Sequence, residues 1–137
     1  MTVLIDSSVW FAAMVATDKD NRRAKDILEG IDEPLTTDHV VIETWLLLNS
    51  RHGRYVAAAF AGLTRSSGLP IAFVTPADLG AAWQTMDAFP DQDFSLIDCT
   101  SFAVMERLGV HRVASFDHHF VVYRYGARRE RAFDVLR

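Results

Sequence analysis

The first residues of the chain, MTVLIDSSVWFAAMV, place a carboxylate where a strand passes into a helix. Residues 3–5 form an uninterrupted aliphatic run, which is typical of a strand buried on both faces of a parallel sheet. Ser7 and Ser8 favour the start of a helix, and an apolar segment of helical length follows them. Asp6 therefore lies at the edge of an open α/β sheet where ligands bind. An equally good interpretation of this segment alone is that Asp6 only caps the helix.

Composition predicts one compact domain over residues 1–137, because half of the residues are hydrophobic and can form a sizeable core. A single cysteine, Cys99, excludes a disulfide within the chain and fits a reducing cytoplasm. No apolar run approaches the length of a membrane span, and no basic region precedes an apolar one at the N-terminus. We therefore expect a soluble protein in the cytoplasm.

Charge is distributed unevenly along the chain. The net charge is −4, but residues 122–137 hold five arginines against Glu130 and Asp134, so this tail carries +3 and residues 1–121 carry −7. An acidic body with a basic tail can still meet a phosphate backbone locally. Tyrosines alternate with arginines in the tail, which suits bases and phosphates as well as it suits a solvated segment. The candidate RNA contacts, from this tail and from a basic cluster after the first helix, are Arg22, Arg23, Arg124, Arg128 and Arg129.

Strand and helix signals alternate along the rest of the chain, which predicts an α/β fold with a mainly parallel sheet. Helices are predicted from Asn21 to Gly30, around 40–48, over 55–63, from Pro76 to about Phe89 and from Ser95 to Gly109, and strands over 34–36, 71–74 and 110–115 with a short edge strand within 132–136.

Glu43 lies inside a helix that is apolar on nearly every side, and such a helix is expected to be buried. A lone carboxylate there is costly unless it is paired, hydrogen-bonded or bound to a cation. No Lys or Arg lies one turn away in either direction. A role in a site is therefore favoured over a partner supplied by a distant arginine or a backbone donor.

Asp98 occupies the third position of the helix that Ser95 begins, which is an ordinary capping arrangement. However, Asp91, Asp93 and Asp98 fall close together near this helix start. Carboxylates repel one another unless a cation is present, so the cluster indicates either a solvated loop or a metal site. Asp91 is expected to belong to the loop.

Asp117 follows a predicted strand in the same way as Asp6 does. Two acids just beyond the carboxyl ends of neighbouring parallel strands approach each other. His118 and His119 come next, but adjacent histidines point in different directions and no spaced Cys or His joins them, so zinc is not expected.

Four acids in four segments thus have a reason to lie at one edge of the sheet: Asp6, Glu43, Asp98 and Asp117. Hard oxygen ligands without a Cys or His set select Mg²⁺ or Mn²⁺. The chemistry that such a site supports is metal-assisted attack of water on a phosphodiester.

The segments LIDSSVW, HVVIETWLLL, DQDFSLIDCTSFAVM and SFDHHF occur together in an order and spacing that closely resemble the PIN-domain ribonucleases, in particular the VapC toxins of toxin–antitoxin pairs. The resemblance covers nearly the whole chain, and it implies a three-layer α/β/α sandwich with a central, mainly parallel sheet. The acidic residues that it assigns to metal binding and catalysis are Asp6, Glu43, Asp98 and Asp117, with Asp93 as an additional acid and hydroxyl positions at Ser8, Ser95 and Ser115.

The same resemblance implies a homodimer and a small VapB-like antitoxin whose C-terminal segment lies over the active site. The reaction that we expect is cleavage of single-stranded or loop RNA, which leaves a 5′-phosphate and a 3′-hydroxyl. Asp6, Asp98 and Asp117 would hold the metal, and Glu43 would orient the attacking water or complete the ligand shell.

Other functions remain open at this point. A PIN-domain nuclease for housekeeping RNA processing would share every residue named above, and a non-catalytic RNA- or protein-binding module would show no effect of divalent ions. A phosphatase of the haloacid dehalogenase type needs a second Asp where this chain has Ser8. A receiver domain needs a late lysine, whereas the only lysines here are Lys19 and Lys25.

Overall fold

The computed structural model describes all of residues 1–137 and contains a five-stranded parallel sheet with seven helices. In chain order the elements are β1 (Thr2–Ile5), α1 (Ser7–Met14), α2 (Asn21–Glu29), β2 (Glu33–Thr37), α3 (Asp38–His52), α4 (Arg54–Ser66), β3 (Ile71–Ala72), α5 (Pro76–Ala88), α6 (Leu96–Leu108), β4 (Arg112–Ala114), α7 (His119–Val122) and β5 (Asp134–Leu136). None of these helices is long and apolar enough to cross a membrane.

The order of strands across the sheet is β3-β2-β1-β4-β5, so β1 is central. Leu4 of β1 pairs with Leu35 on one side and Val113 on the other. Because every pairing is parallel, the carboxyl ends of all strands lie at one edge of the sheet. β1 and β4 are neighbours, which is the condition under which Asp6 and Asp117 are expected to lie close together.

A separate hydrophobic core lies on each face of the sheet. On one face Trp10 of α1 packs against Phe60 of α4, with ring centroids 6.0 Å apart. On the other face Phe102 of α6 stacks on Tyr123 with ring centroids 4.0 Å apart, and Phe120 of α7 closes this core. Two cores with the sheet between them confirm the predicted three-layer α/β/α sandwich.

Local signals set the helix boundaries where the sequence predicted them. The Thr37 hydroxyl accepts a hydrogen bond from the Val40 amide and caps α3. Gly53, with a φ of 91°, separates α3 from α4, and Gly109, with a φ of 67°, ends α6. These left-handed backbone conformations favour glycine.

The prediction that α3 is buried on nearly every side is wrong. Ile42 and Leu46 are each 56% exposed, because α3 packs against α1, α4, α6 and β2 and leaves this side uncovered. Strand β3 is also shorter than the predicted 71–74 and is only half-buried, since it forms an edge of the sheet.

Candidate active site

A cleft of about 420 Å³ lies at the carboxyl edge of the sheet. Its lining includes the four predicted acids, which come from four parts of the chain: Asp6 after β1, Glu43 in α3, Asp98 in α6 and Asp117 after β4. The prediction that these carboxylates lie close together is thus met by the structure. No lysine or arginine pairs with any of them.

Two serine hydroxyls hold the Asp6 carboxylate. Ser8 Oγ donates to Asp6 Oδ2 over 2.8 Å, and Ser115 Oγ donates to the same oxygen over 2.9 Å. The two hydroxyls in turn accept hydrogen bonds from the backbone amides of Phe116 and Asp117, each at 3.0 Å. Asp6 is therefore fixed to the loop that carries Asp117. Asp6 also caps α1, so both interpretations of this residue apply.

Asp98 likewise combines a helix cap with a place in the cleft. Its Oδ2 accepts a hydrogen bond from the Ser95 amide, while the Ser95 hydroxyl accepts one from the Asp98 amide, which completes a capping box at the start of α6. The same Oδ2 lies 2.7 Å from Nδ1 of His119. Asp98 therefore caps α6 and lines the cleft at the same time.

His119 is a site residue that the sequence reasoning missed. Its Nδ1 lies 2.7 Å from Asp98 Oδ2 and 3.1 Å from Asp117 Oδ1, and its backbone amide donates to that Asp117 oxygen over 3.0 Å. The Phe94 ring packs edge-on against the imidazole. An ionised carboxylate only accepts hydrogen bonds, so Nδ1 carries the proton and donates it to Asp98.

Glu43 is half-buried and accepts a hydrogen bond on Oε1 from the Ser7 hydroxyl. This hydroxyl, rather than a distant arginine, is the partner that the structure provides. Burial raises the pKa of Glu43, and the charges of Asp6, Asp98 and Asp117 raise it further. The Ser7 hydrogen bond acts in the opposite direction but does not cancel these effects.

The hydrogen bonds to each carboxylate end on a single oxygen. These oxygens are Oδ2 of Asp6, Oε1 of Glu43, Oδ2 of Asp98 and Oδ1 of Asp117. The second oxygen of each acid accepts no hydrogen bond from a side chain. Four such oxygens are the donor set that a hard divalent cation prefers.

The electrostatics of the cleft also favour a cation. Burial is the largest effect that raises the pKa values of Asp6 and Asp98, and a neighbouring carboxylate adds to it in both cases. Like charges held together in this way are stabilised by a positive ion. The adjacent Cys99 thiol is buried and its pKa is raised to about 11, so it is not a thiolate at neutral pH.

Ligand atoms of Asp117, His118 and His119 lie within 4.8 Å of one another. The His119 nitrogen of this group is already hydrogen-bonded to Asp98 and lies 3.1 Å from Asp117, and the His118 side chain is 71% exposed. We therefore interpret His119 as a residue that positions the carboxylates of Asp98 and Asp117 rather than as a metal ligand.

Of the other predicted site residues, Ser8 and Ser95 line the cleft, and Ser115 is fully buried beneath it. Asp93 is exposed and does not line the cleft, so its place in the site stays a prediction.

None of the five predicted RNA-binding arginines lines the cleft. Arg23 lies beside Met1 and bonds the carbonyl of Arg137, away from the acidic cleft, so its contact with RNA stays a prediction. The other four arginines are engaged or exposed elsewhere: Arg22 pairs with Asp26, Arg124 bonds the Val121 carbonyl, Arg129 lies over the Phe89 ring and Arg128 is exposed. Sequence clusters do not show which side of a helix or turn faces the site.

Comparison with known proteins decides the family. The model of the PIN domain family matches residues 3–124. The chain belongs to the PIN domain family. This PIN domain is 35% identical over 120 residues to the 23S rRNA-specific endonuclease VapC20 of Mycobacterium tuberculosis, an alignment that covers 86% of this chain and 91% of the relative.

Solved structures agree with the family assignment. The crystal structure of M. tuberculosis VapC20, a sarcin–ricin loop cleaving toxin, superimposes on this PIN domain with a TM-score of 0.83 and 32% identity, over 87% of this chain and 92% of that chain. A toxin–antitoxin complex from Klebsiella pneumoniae gives a TM-score of 0.66 over 98% and 96% of the two chains. At 12% identity the second match supports the fold alone.

Proposed function

We propose that this PIN domain is a metal-dependent endoribonuclease and the toxin of a type II toxin–antitoxin pair. The observation that carries the proposal is the cleft in which four carboxylates from separate elements each leave one oxygen without a hydrogen bond. The likeness to VapC20, an endonuclease specific for 23S rRNA, supports RNA as the substrate.

Asp6, Asp98 and Asp117 would hold Mg²⁺ or Mn²⁺, and Glu43 would orient the attacking water or complete the ligand shell. When bound, such an ion lowers the pKa of water and stabilises the attacking and leaving oxygens of the phosphodiester. The expected products carry a 5′-phosphate and a 3′-hydroxyl.

The remaining side chains of the cleft position these acids. Ser8 and Ser115 fix the Asp6 carboxylate from one side. His119 holds Asp98 through Nδ1 and Asp117 through its backbone amide, so that the mutual repulsion of the two acids does not separate them. Ser7 restrains Glu43. Such preorganisation keeps the ligand oxygens in place before the substrate arrives.

The proposed partners are a small VapB-like antitoxin, whose C-terminal segment would cover the cleft, and a second copy of the chain. The exposed apolar side of α3, formed by Ile42 and Leu46, supports the homodimer because solvent contact with such side chains is unfavourable. Leu46→Lys would then convert the dimer to a monomer in light scattering. We place the protein in the cytoplasm, where its RNA substrate is found.

Cleavage by the purified protein tests the nuclease proposal. A 23S rRNA sarcin–ricin loop and total RNA are incubated with Mg²⁺, Mn²⁺ or EDTA, and ends with a 5′-phosphate are mapped by ligation and sequencing. We expect cleavage that EDTA abolishes and that Asp6→Asn and Asp98→Asn abolish while the fold is retained. Full activity of either purified variant, or equal activity in EDTA, would refute the site.

Expression in a bacterial host tests the toxin role separately. The chain alone should arrest growth, and co-expression of the small gene next to its own should relieve the arrest. RNA cleavage without growth arrest would favour a housekeeping nuclease instead.

A further inference from the structure

Arg51 is the only lysine or arginine among the residues that line the acidic cleft. Six carboxylates line the same cleft, the four described above together with Asp18 and Asp20. An RNA backbone that approaches such a surface meets repulsion at every position that a metal ion does not neutralise. The positively charged Arg51 side chain is therefore the group in this lining that can attract a phosphate outside the metal site.

Arg51 lies on the same stripe of α3 as the acid of that helix. Glu43, Leu47 and Arg51 are spaced four residues apart, and all three line the cleft. Two helical turns separate Glu43 from Arg51, which is about 12 Å along the helix axis. Arg51 is therefore offset from Glu43 along the helix, where a phosphate other than the one at the acids can reach it.

The guanidinium group of Arg51 is held over an aromatic ring. Its Cζ atom lies 5.5 Å from the centroid of Phe11, which also lines the cleft, and the Phe11 ring contacts the ring of His52. Stacking of this kind restricts the side chain while leaving its N–H donors free.

No acid neutralises Arg51 in the structure. It forms no ion pair and no side-chain hydrogen bond, although Asp18, Asp20 and Glu43 line the same cleft. Its donors therefore remain available to a ligand that brings its own negative charge into the cleft.

We propose that Arg51, supported by Phe11, binds a phosphate of the RNA next to the scissile one and so sets the register of the strand in the cleft. The planar guanidinium offers two parallel N–H donors to phosphate oxygens. The inference rests on the proposed function, since it assumes that RNA enters this cleft.

The chain offers a matched control in Arg54. Its Cζ atom lies 5.3 Å from the ring of Trp45, so it has the same residue type and the same aromatic support as Arg51. Arg54 is exposed and does not line the cleft. Any general effect of removing a stacked arginine from this helical hairpin should appear equally in both variants.

The test compares steady-state cleavage of one RNA by the wild type, Arg51→Ala, Arg51→Lys and Arg54→Ala in Mg²⁺. Binding of a short fluorescein-labelled single-stranded RNA is measured in parallel at several salt concentrations. We expect Arg51→Ala to raise KM about tenfold or more with little change in kcat, since a charge-assisted contact to phosphate is lost. The slope of log affinity against log salt should fall by about one.

Arg51→Lys should recover the salt slope but only part of the affinity, because lysine keeps the charge and lacks the planar fork. Arg54→Ala should match the wild type in KM and in salt slope. Equal KM values for Arg51→Ala and Arg54→Ala would overturn the proposal. A raised KM with an unchanged salt slope would also overturn it, because that result indicates a stacked base rather than a bound phosphate.

Failure of this inference can be distinguished from failure of the nuclease proposal. A wild type that cleaves RNA while Arg51→Ala cleaves it equally well contradicts only the role of Arg51. A wild type that neither binds nor cleaves RNA in Mg²⁺ contradicts both. Thermal unfolding of the three variants is expected to match that of the wild type, since Arg51 and Arg54 are both exposed.

Discussion

The Nδ1 atom of His119 lies 2.7 Å from Oδ2 of Asp98 and so connects helix α7 to the first turn of α6. The same nitrogen lies 3.1 Å from Asp117. We expect His119→Ala to reduce Mn²⁺ affinity and kcat/KM about 10- to 100-fold, as for other residues that orient metal-binding side chains. Calorimetric titration with Mn²⁺ and RNA cleavage assays measure the two effects.

Two further variants separate this positioning role from a general effect on the fold. His119→Asn should restore much of the loss, because the Asn amide places an N–H donor near the position of Nδ1. His118→Ala should behave as the wild type, since that ring is largely exposed and its Nδ1 lies 3.7 Å from Asp117. If the Asn variant were as impaired as the Ala variant, the hydrogen bond would not be the cause.

Asp6→Asn should stabilise the protein when divalent ions are absent. Burial raises the pKa of Asp6, so the folded state holds its proton more tightly than the unfolded chain does, and stability falls as the pH rises from the ordinary carboxyl range through the raised pKa. At pH 7 in EDTA we expect the variant to unfold a few degrees higher than the wild type. Asn can still cap α1 and accept a serine hydrogen bond.

Addition of Mg²⁺ should reverse this order, because the wild type gains binding energy that the variant lacks. Differential scanning calorimetry in EDTA and in Mg²⁺ provides the comparison, with the exposed Asp91→Asn as control. A variant that unfolds below the wild type in EDTA would contradict the view that repulsion within the cleft destabilises the metal-free protein.

Two fully buried serines should respond in opposite ways to replacement by alanine. Ser115 Oγ joins the Asp6 carboxylate to the Asp117 amide, so Ser115→Ala is expected to lower the free energy of unfolding by about 1–3 kcal/mol and to weaken Mn²⁺ binding. Ser101 Oγ has no hydrogen-bond partner, so Ser101→Ala should be neutral or stabilising. Urea unfolding measures the stability of both variants. A similar loss of unfolding free energy in the two would show that the hydrogen bonds of Ser115 do not stabilise the fold.

Arg107→Ala should destabilise the fold without altering metal binding. Arg107 Nε and Nη2 donate to the buried Asp78 carboxylate, each at 2.9 Å, and neither residue lines the cleft, because Arg107 lies in the last turn of α6 whereas Asp98 lies in its first. Burial acts to raise the pKa of Asp78, but these hydrogen bonds and those from Thr75 outweigh it and lower the pKa. Because the Arg107 side chain is partly exposed, we expect a loss of about 1–2 kcal/mol at pH 7.

The pH dependence provides the second check on this pair. A lowered pKa contributes stability that is fully present above the ordinary carboxyl range and is lost as the pH falls through the pKa of the folded state. The difference between the wild type and Arg107→Ala should therefore shrink below about pH 4. A difference that stayed constant in acid would contradict an electrostatic origin.

The sequence predicted the elements whose signals are local. The aliphatic run before Asp6, the cap at Ser95 and the stop at Gly109 each define a boundary through neighbouring residues alone. The proximity of Asp6 and Asp117 was also predicted from the sequence, because it required only that the parallel strands before them, β1 and β4, be neighbours in the sheet. These are constraints that backbone geometry imposes whatever the rest of the fold contains.

Features that depend on packing between distant elements did not follow from the sequence. The apolar pattern of α3 could not show that Ile42 and Leu46 lack neighbours. The sequence predicted a helix only around 40–48, so it did not show that α3 continues through Arg51, which lies in the last turn of α3 and lines the cleft. No role for His119 followed from the sequence once zinc was not expected, because only the structure shows that its Nδ1 lies 2.7 Å from Asp98 and 3.1 Å from Asp117.

Asp98 caps α6 and lines the cleft, so a substitution there that removes the capping oxygen affects folding as well as the reaction. Glu43 does not cap a helix, since it lies in the middle of α3 and has a single hydroxyl partner. Cells that survive expression of this protein can be screened for mutations in it. Mutant proteins changed at Glu43 should then be stable in the cell, whereas those changed at Asp98 should be degraded more often.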